Sequence, residues 1–350
     1  MAKKAIVVIG SSNTDMIIRV SRIPLAGETI LGGKFHIAAG GKGANQAVGA
    51  ARAGGRVTFI ARVGKDSFGD QAIAGLRRDG IDVRCVARDQ SAASGVALIC
   101  VAPDGENSIA VASGANAALS SLDVKRAASA IRSAAVLVAQ LETPLATVRA
   151  AALLAARAGV PFILNPAPAR ELPGSLLKLV SILTPNETEA QMLTGIKVTD
   201  ELAAARAAEI LRERGARTVI LTLGARGAFL ADAKGQQLVP GFKAKPVDTT
   251  AAGDIFNGAL AVALAEGRAL VDAVRFANAA AALSVTRLGA QPSAPIRAAI
   301  ERFMRARPSS HQRHTLGHAH DHRAREFVVP GLTIVIHGDP DETESEDEQR

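Results

Sequence analysis

Short apolar runs bounded by turn residues alternate along this chain with stretches whose apolar positions recur at helical spacing. Ala5 to Ile9 reads as a buried strand ending in Gly10-Ser11-Ser12-Asn13-Thr14-Asp15, after which Met16 to Val20 resumes an extended apolar pattern. A helical pattern running through Ala53 opens out of Ala39-Gly40-Gly41-Lys42-Gly43-Ala44-Asn45-Gln46-Ala47. Val57 to Ala61 predicts the next strand, and Phe68 to Asp79 a helix stopped by Gly80. The same alternation predicts a helix over 123–133, strand Val136 to Gln140, a helix over 144–158 and strand Phe162 to Asn165. Strands Ser181 to Leu183 and Thr218 to Leu223 follow, then helices near 269–286, a turn-rich loop from Arg287 to Ser293 and a closing helix from Ala294 to Arg305. Strand and helix in turn imply a mostly parallel sheet covered on both faces. One stretch breaks the rhythm. Val96 to Ala102 and Asn107 to Ala112, joined by Pro103-Asp104-Gly105-Glu106, read as a hairpin, which predicts a small separate sheet over the active face.

Composition narrows the class. With 48% hydrophobic residues over 350 positions, the chain has ample material for a buried core. No apolar run approaches membrane-spanning length without a charge, and the apolar run after Met1 is too short for a secretory leader, so a soluble cytoplasmic protein without a membrane partner is expected. Cys85 and Cys100 lack metal-type spacing and read as reduced, mostly buried small hydrophobes. A net charge of +8 raises nucleic acid as a partner, but there is no Trp or Tyr and no stacking pattern among the Phe residues. A basic surface suited to an anionic small molecule such as a nucleotide is the expectation instead. From Pro308 the character changes: residues 308–350 carry five His between His311 and His322, then an acidic end, with four Arg against nine Asp and Glu. This segment reads as a flexible, His-rich and then acidic tail on a domain spanning 1–307.

The strongest chemical signal is Asp248-Thr249-Thr250-Ala251-Ala252-Gly253-Asp254, where small residues run into an aspartate as an apolar helical pattern begins. A helix start of that kind presents unpaired backbone N–H groups to an anion. An aspartate there would repel a bound anion, yet it suits a base that takes the proton of a hydroxyl attacking a phosphate. Asp254 is the expected base of a phosphotransferase, with Ala251, Ala252 and Gly253 as its anion hole. Other segments stay open between a functional and a structural reading. Asn13 and Asp15 share one side if that segment is extended, and they also suit an Asx turn. The loop from Gly40 to Asn45 lets backbone approach a ligand, but Lys42 precedes Gly43 rather than Ser or Thr, so it is not a Walker loop and a plain turn explains it as well. Glu142 follows a strand directly, or begins the next helix. Asn186 and Glu189 form a capping-box pattern or stand near Mg²⁺. Gly224-Ala225-Arg226-Gly227 is a loop for a nucleotide or a turn between strands.

Taken together and in order, Asn13 to Asp15, Gly40 to Asn45, Asn165 to Pro173, Thr184 to Glu189, Thr222 to Gly227 and Asp248 to Asp254 resemble the carbohydrate kinase family that includes ribokinase, adenosine kinase and minor phosphofructokinases. The resemblance covers about residues 4–305, and the Gly40 to Asn45 loop with Gly114 to Ser120 is nearest the ribose-phosphorylating members. It implies a ribokinase-like three-layer α/β sandwich with a mostly parallel central sheet and a small β-sheet lid, drawn from segments near 13–45 and 94–112, that also makes a homodimer contact. It implies transfer of the γ-phosphoryl group of ATP to O5 of D-ribose, with Asp254 accepting the proton. Ribose would meet Asn13, Thr14, Asp15, Gly41, Lys42, Gly43, Ala44, Asn45, Glu142 and Asp254. ATP would meet Asn186, Thr222, Leu223, Gly224, Ala225, Arg226, Gly227, Gly253 and Asn278. Mg²⁺ would be held through water by Asn186 and Glu189, and a monovalent cation, K⁺, by Asp248, Thr250, Ser284, Arg287, Gly289 and Ser293. A kinase of deoxyribose, another pentose or a nucleoside is the alternative within the class, and a catalytically silent sugar sensor the alternative outside it.

Overall fold

The structure is a computed structural model that describes residues 5–306. The boundary after 307, the His cluster and the acidic end therefore lie outside the described residues.

The chain opens with β1 (Ile6–Ile9), β2 (Asn13–Arg19), β3 (Lys34–Gly40), α1 (Lys42–Arg52), β4 (Val57–Gly64), α2 (Ser67–Arg78) and β5 (Val86–Asp89). The hairpin β6 (Gly95–Val101) and β7 (Asn107–Ala112) follows. Alternation then resumes with α3 (Ser121–Arg126), α4 (Ala128–Arg132), β8 (Val136–Ala139), α5 (Leu145–Arg157), β9 (Phe162–Leu164), α6 (Gly174–Leu177), β10 (Ile182–Leu183), α7 (Glu187–Thr194) and α8 (Glu201–Glu213). Strands β11 (Thr218–Thr222), β12 (Gly227–Asp232) and β13 (Gly235–Pro240) lead to α9 (Ala252–Ala265), α10 (Leu270–Ser284), α11 (Ala290–Ser293) and α12 (Arg297–Arg305).

Nine strands form one sheet in the order β13-β12-β11-β10-β9-β8-β1-β4-β5, parallel from β11 to β5, with β12 and β13 antiparallel at one edge. The period-two pleat of β1 explains the three layers. Ile6 and Val8 join a core cluster with α1, α9 and α10, while Val7 and Ile9 join the opposite one with α3, α5 and α8. The carboxyl ends of the parallel strands thus meet at one edge, where open α/β sheets bind ligands. The expected lid is present as a second sheet, β3-β2-β6-β7, in which β2 pairs antiparallel with β3 and parallel with β6.

Several expectations are corrected. The helix over 123–133 is two helices that meet at Ala127, a bend that keeps Val124, Ala127 and Ile131 all in the core. The closing helix begins at Arg297 rather than Ala294, because Pro295 holds the residue before it extended at φ −57°, ψ 118°. The turn-rich loop after Arg287 contains α11. Cys85 and Cys100 are free thiols but half-buried rather than buried. Among the described residues, no helix is long and apolar enough to cross a membrane.

Candidate active site

Asp254 lies in the first turn of α9, one turn earlier than the apolar periodicity alone places the helix start. The turn is entered through Ala251 at φ 60°, ψ 12°, the one non-glycine residue with positive φ among the described residues. A left-handed alanine is strained and persists only where its surroundings impose it. Ala252 N–H donates to the Thr249 carbonyl at 3.2 Å, while those of Gly253 and Asp254, which precede the first intrahelical bond, have no backbone acceptor. A side chain added at Gly253 would meet nothing within 4 Å, so the approach to these amides is open.

The Asp254 carboxylate is buried and held by two adjacent residues of α1. Asn45 Nδ2 donates to Oδ2 and Gln46 Nε2 to Oδ1, each at 3.0 Å. Two neighbouring helix positions reach one carboxylate because α1 and α9 cross unusually closely. A Cβ on Gly258 would stand 2.6 Å from Gln46 O and from Ala50 N. Burial pushes the Asp254 pKa up, Lys42 and the two amides oppose this, and Glu142 adds to it. Asn45 Oδ1, by contrast, is buried without a partner, an acceptor left open in the site.

Glu142 sits at the start of α1, where Oε2 accepts from Ser11 Oγ at 2.5 Å and from Lys42 N–H at 3.0 Å. It accepts from the first N–H of α1 and does not begin the next helix, α5, whose N-cap is Pro144. Asn13 and Asp15 lie on β2, as their extended spacing requires. Asn13 Oδ1 accepts from Asn116 Nδ2 at 2.7 Å, and Asn116 is itself clamped to Ser12 N–H and Ser12 O, so the Asn13 amide nitrogen is left for a ligand. The Asp15 pKa is raised to about 6, by burial first and then by Glu142 and Asp254. Lys42 supplies the opposing charge. Burial works against its ammonium, yet Asp254, Glu142 and Glu189 outweigh that and hold its pKa above the ordinary lysine value.

Asn186 and Glu189 form a complete capping box: Asn186 Oδ1 accepts Glu189 N–H at 2.7 Å, and the Glu189 carboxylate accepts Asn186 N–H and Nδ2 at 2.9 and 3.0 Å. Burial raises the Glu189 pKa and Lys42 and Asp254 both act on it, which puts its charge toward the cleft. Each oxygen keeps a second acceptor site for metal-bound water, so the residues fit Mg²⁺. Thr222 ends β11 beside Asn186, and Leu223 is buried below the exposed turn Gly224 to Arg226. Two expected nucleotide ligands also hold the protein together. Arg226 bonds Glu187 and the Thr199 carbonyl, and Asn278 Nδ2 bonds the Val239 and Pro240 carbonyls at 3.0 and 3.3 Å, tying α10 to β13.

Behind the anion turn, Asp248 Oδ1 accepts Thr250 N–H at 2.9 Å and Oδ2 accepts Gly289 N–H at 2.8 Å, so three expected cation ligands converge. The Ser284 carbonyl takes Arg287 N–H at 3.1 Å, and Ser293 is buried with its hydroxyl on Ala290 O. One carboxylate among carbonyls and hydroxyls is a hard-oxygen donor set that fits a monovalent cation.

Sequence reasoning missed Gln46, Ser11 and the part played by Asn116, because each acts on a residue far away in the chain. It also missed an apolar row: by strand register Ala97, Ile99, Ile109 and Val111 lie on the same face of the lid as Asp15. Strand periodicity combined with the lid assignment carried that signal.

Comparison with known proteins agrees with the geometry. Residues 3–297 match the model of the pfkB family carbohydrate kinases. The chain is 45% identical over 302 residues to a ribokinase of Haemophilus influenzae, covering 86% of this chain and 99% of that one. It is 39% identical over 299 residues to a deoxyribokinase of Salmonella typhi, covering 85% and 97%. The solved structure of Arabidopsis thaliana ribokinase complexed with ribose and ATP superposes with a TM-score of 0.81 at 33% identity, over 87% of this chain and 99% of that one. The chain belongs to the pfkB family of carbohydrate kinases.

Proposed function

We propose that the chain transfers the γ-phosphoryl group of ATP to O5 of D-ribose. The observation that carries this reading is the Asp254 carboxylate, held by Asn45 and Gln46 beside the N–H groups of Gly253 and Asp254, which no backbone carbonyl accepts. Base and anion site are thus one turn of one helix. The sugar lies between β2 and the start of α1, its hydroxyls meeting the Asn13 amide nitrogen, the Asp15 carboxylate, Asn45 Oδ1, Glu142 and the backbone of Gly41 to Ala44. Asp254 takes the O5 proton as the hydroxyl attacks, and the turn from Ala251 to Gly253, with the Lys42 ammonium, meets the charge on the transferring group. ATP lies along the carboxyl ends of β10 and β11, over Thr222 to Gly227, with Asn186, Asn278 and Gly253 along the same side.

Asn186 and Glu189 would hold Mg²⁺ through water, and the ion would supply neutralisation of phosphate charge. Asp248, Thr250, Ser284, Arg287, Gly289 and Ser293 would hold K⁺, whose charge would support the shape of the anion turn. Two lids pair in a homodimer through the outer face that bears Phe35, Ile37 and Leu98, all at least half exposed. The reaction belongs in the cytoplasm, where ATP is made and thiols such as Cys85 and Cys100 stay reduced. The likeness to a deoxyribokinase favours 2-deoxyribose as the second reading. ADP release with ribose, deoxyribose, fructose and adenosine, with and without K⁺, tests both. Ribose is expected to give the highest kcat/KM, and turnover of none of the four would end the kinase reading.

A further inference from the structure

We infer that Gln46 is the positioning residue of this site: its amide sets which way the Asp254 carboxylate faces, and Gln140 holds that amide at its other end. The inference rests on the reading of Asp254 as the base.

Gln46 is fully buried. Its Nε2 lies 3.0 Å from Asp254 Oδ1 and 3.1 Å from Asn165 Oδ1, and its Oε1 accepts from Gln140 Nε2 at 2.6 Å. A side-chain amide has one donating end and one accepting end, so a donor on one side forces the NH₂ toward the other. Because the Asp254 carboxylate only accepts, the two Gln46 N–H groups face Asp254 and Asn165 and the Gln46 oxygen takes the Gln140 N–H, while Gln140 Oε1 is buried without a partner of its own. A flipped Gln46 would set oxygen against carboxylate and NH₂ against NH₂. The chain of bonds closes on itself. Asn165 Nδ2 donates to Thr184 O, Thr184 Oγ1 to Asn257 Oδ1, and Asn257 Nδ2 to Gly253 O, so one buried polar path links the clamp on the base to the turn carrying the anion site.

The chemistry explains why the clamp is neutral. A base must keep its charge and still accept a proton, and a contacting cation would stabilise the charge at the expense of basicity. Amide donors fix direction more cheaply. Asn45 and Gln46 occupy one acceptor site on each oxygen, and the attacking hydroxyl delivers its proton to a site they leave uncovered. The charged groups around Asp254 are Lys42 on α1, Glu142 after β8, Asp15 on β2 and Glu189 on α7. None of them bonds Oδ1.

Gln46→Met keeps length and volume while removing donor and acceptor. It is expected to lower kcat by roughly 10- to 100-fold, the equivalent of one hydrogen bond to a charged group, with the sugar KM unchanged. The acid limb of the kcat–pH profile should move to higher pH, since a donor favouring the ionised base is gone. Gln140→Leu should show a smaller loss with a displacement in the same direction, and adding it to Gln46→Met should cost nothing more, because it acts only through Gln46. Wild-type kcat and pH profile in Gln46→Met, a loss confined to KM, or additive losses in the double variant would each overturn the inference. If Gln46→Met fails to fold, Gln140→Leu decides alone, and an unchanged profile there overturns it. A wild-type chain that phosphorylates no sugar would instead remove the kinase reading and this inference with it.

Discussion

Strands β1 and β2 are separated by three residues, yet they belong to regions of opposite character. All four residues of β1 are at most 1% exposed, packed between helices on both faces, whereas β7, in the sheet that contains β2, is exposed at all six positions. The large sheet is a floor. It carries the proposed base, the turn before it and the capping box on elements locked by two core clusters. The small sheet is a roof, carrying Asn13 and Asp15 with little core of its own, and few buried contacts are what a segment needs if it is to open and close over a substrate. Chemistry should therefore depend on floor residues and sugar affinity on roof residues.

The largest expected effect is on the floor. Asp254→Asn retains the shape and one hydrogen-bonding oxygen but cannot take the proton, so kcat should fall by about 10² to 10⁴ while sugar binding measured by calorimetry persists. Full turnover in this variant would break the division, because the base would lie elsewhere. Next comes the roof. Asp15→Asn should raise the ribose KM by roughly 10- to 100-fold, the loss of a hydrogen bond to a charged acceptor, with kcat much less affected. The Asp15 pKa, about 6 in the fold against an ordinary 3.8, gives two further signatures. As pH falls through 6 the carboxylate protonates, so the wild-type KM should rise, and that rise should be absent in Asp15→Asn. The folded state binds the proton more tightly than the unfolded chain, so the ionised group costs stability in full above pH 6 and not at all well below 3.8. Asp15→Asn should accordingly raise Tm at pH 8, with the gain shrinking toward pH 4. A Tm lowered at pH 8 would show that Asp15 is structural.

Much of this division could be read in the sequence, though not its joints. The βα alternation and the hairpin at 96–112 are local patterns, and they located floor and roof correctly because period and turn residues are set by near neighbours. Asp254 was legible for the same reason: an aspartate after three small residues is a local anomaly. The orientation of side chains was not legible. Nothing in the sequence around Asn278 says that its amide nitrogen holds the strand carbonyl of Val239, because β13 lies far from it in the chain. Gln46 reads as an ordinary helix residue because its partners are Gln140, Asn165 and Asp254, and one sequence holds no signal linking positions so distant. Left-handed Ala251 is invisible too, since glycine is the residue that usually announces such a conformation.

The joint between α1 and α9 offers a sharper probe of the floor with a smaller effect. A methyl at Gly258 would lie 2.6 Å from the backbone of Gln46 and Ala50, so neither atom can swing aside as a side chain could. Gly258→Ala should force the helices apart, cost about 1–3 kcal/mol of stability, and loosen the clamp on Asp254. The comparison requires the catalytic loss to fall on kcat and the ribose KM to stay near the wild-type value. A variant with lower Tm and normal kcat would show that the crossing stabilises the floor without setting the base.

The mildest prediction concerns the outer face of the roof. Phe35, Ile37 and Leu98 stand on one side of the lid sheet at 60%, 50% and 55% exposure, paired through Met16 and Ile18 of β2, while Asp15 points to the other side. Phe35→Glu places a charge on that apolar face without touching the cleft. If two lids pair there, light scattering should show a monomer, because burying an unpaired carboxylate costs more than the lost apolar contact returns. The effect on catalysis should be a rise of a few-fold in ribose KM, since a lid freed from its partner spends less time closed and apparent affinity scales with the closed fraction. kcat at saturating sugar should hold, the floor being unaltered. A variant that remains dimeric would place the contact elsewhere, and a monomer whose loss falls on kcat would mean that the roof helps to align the base.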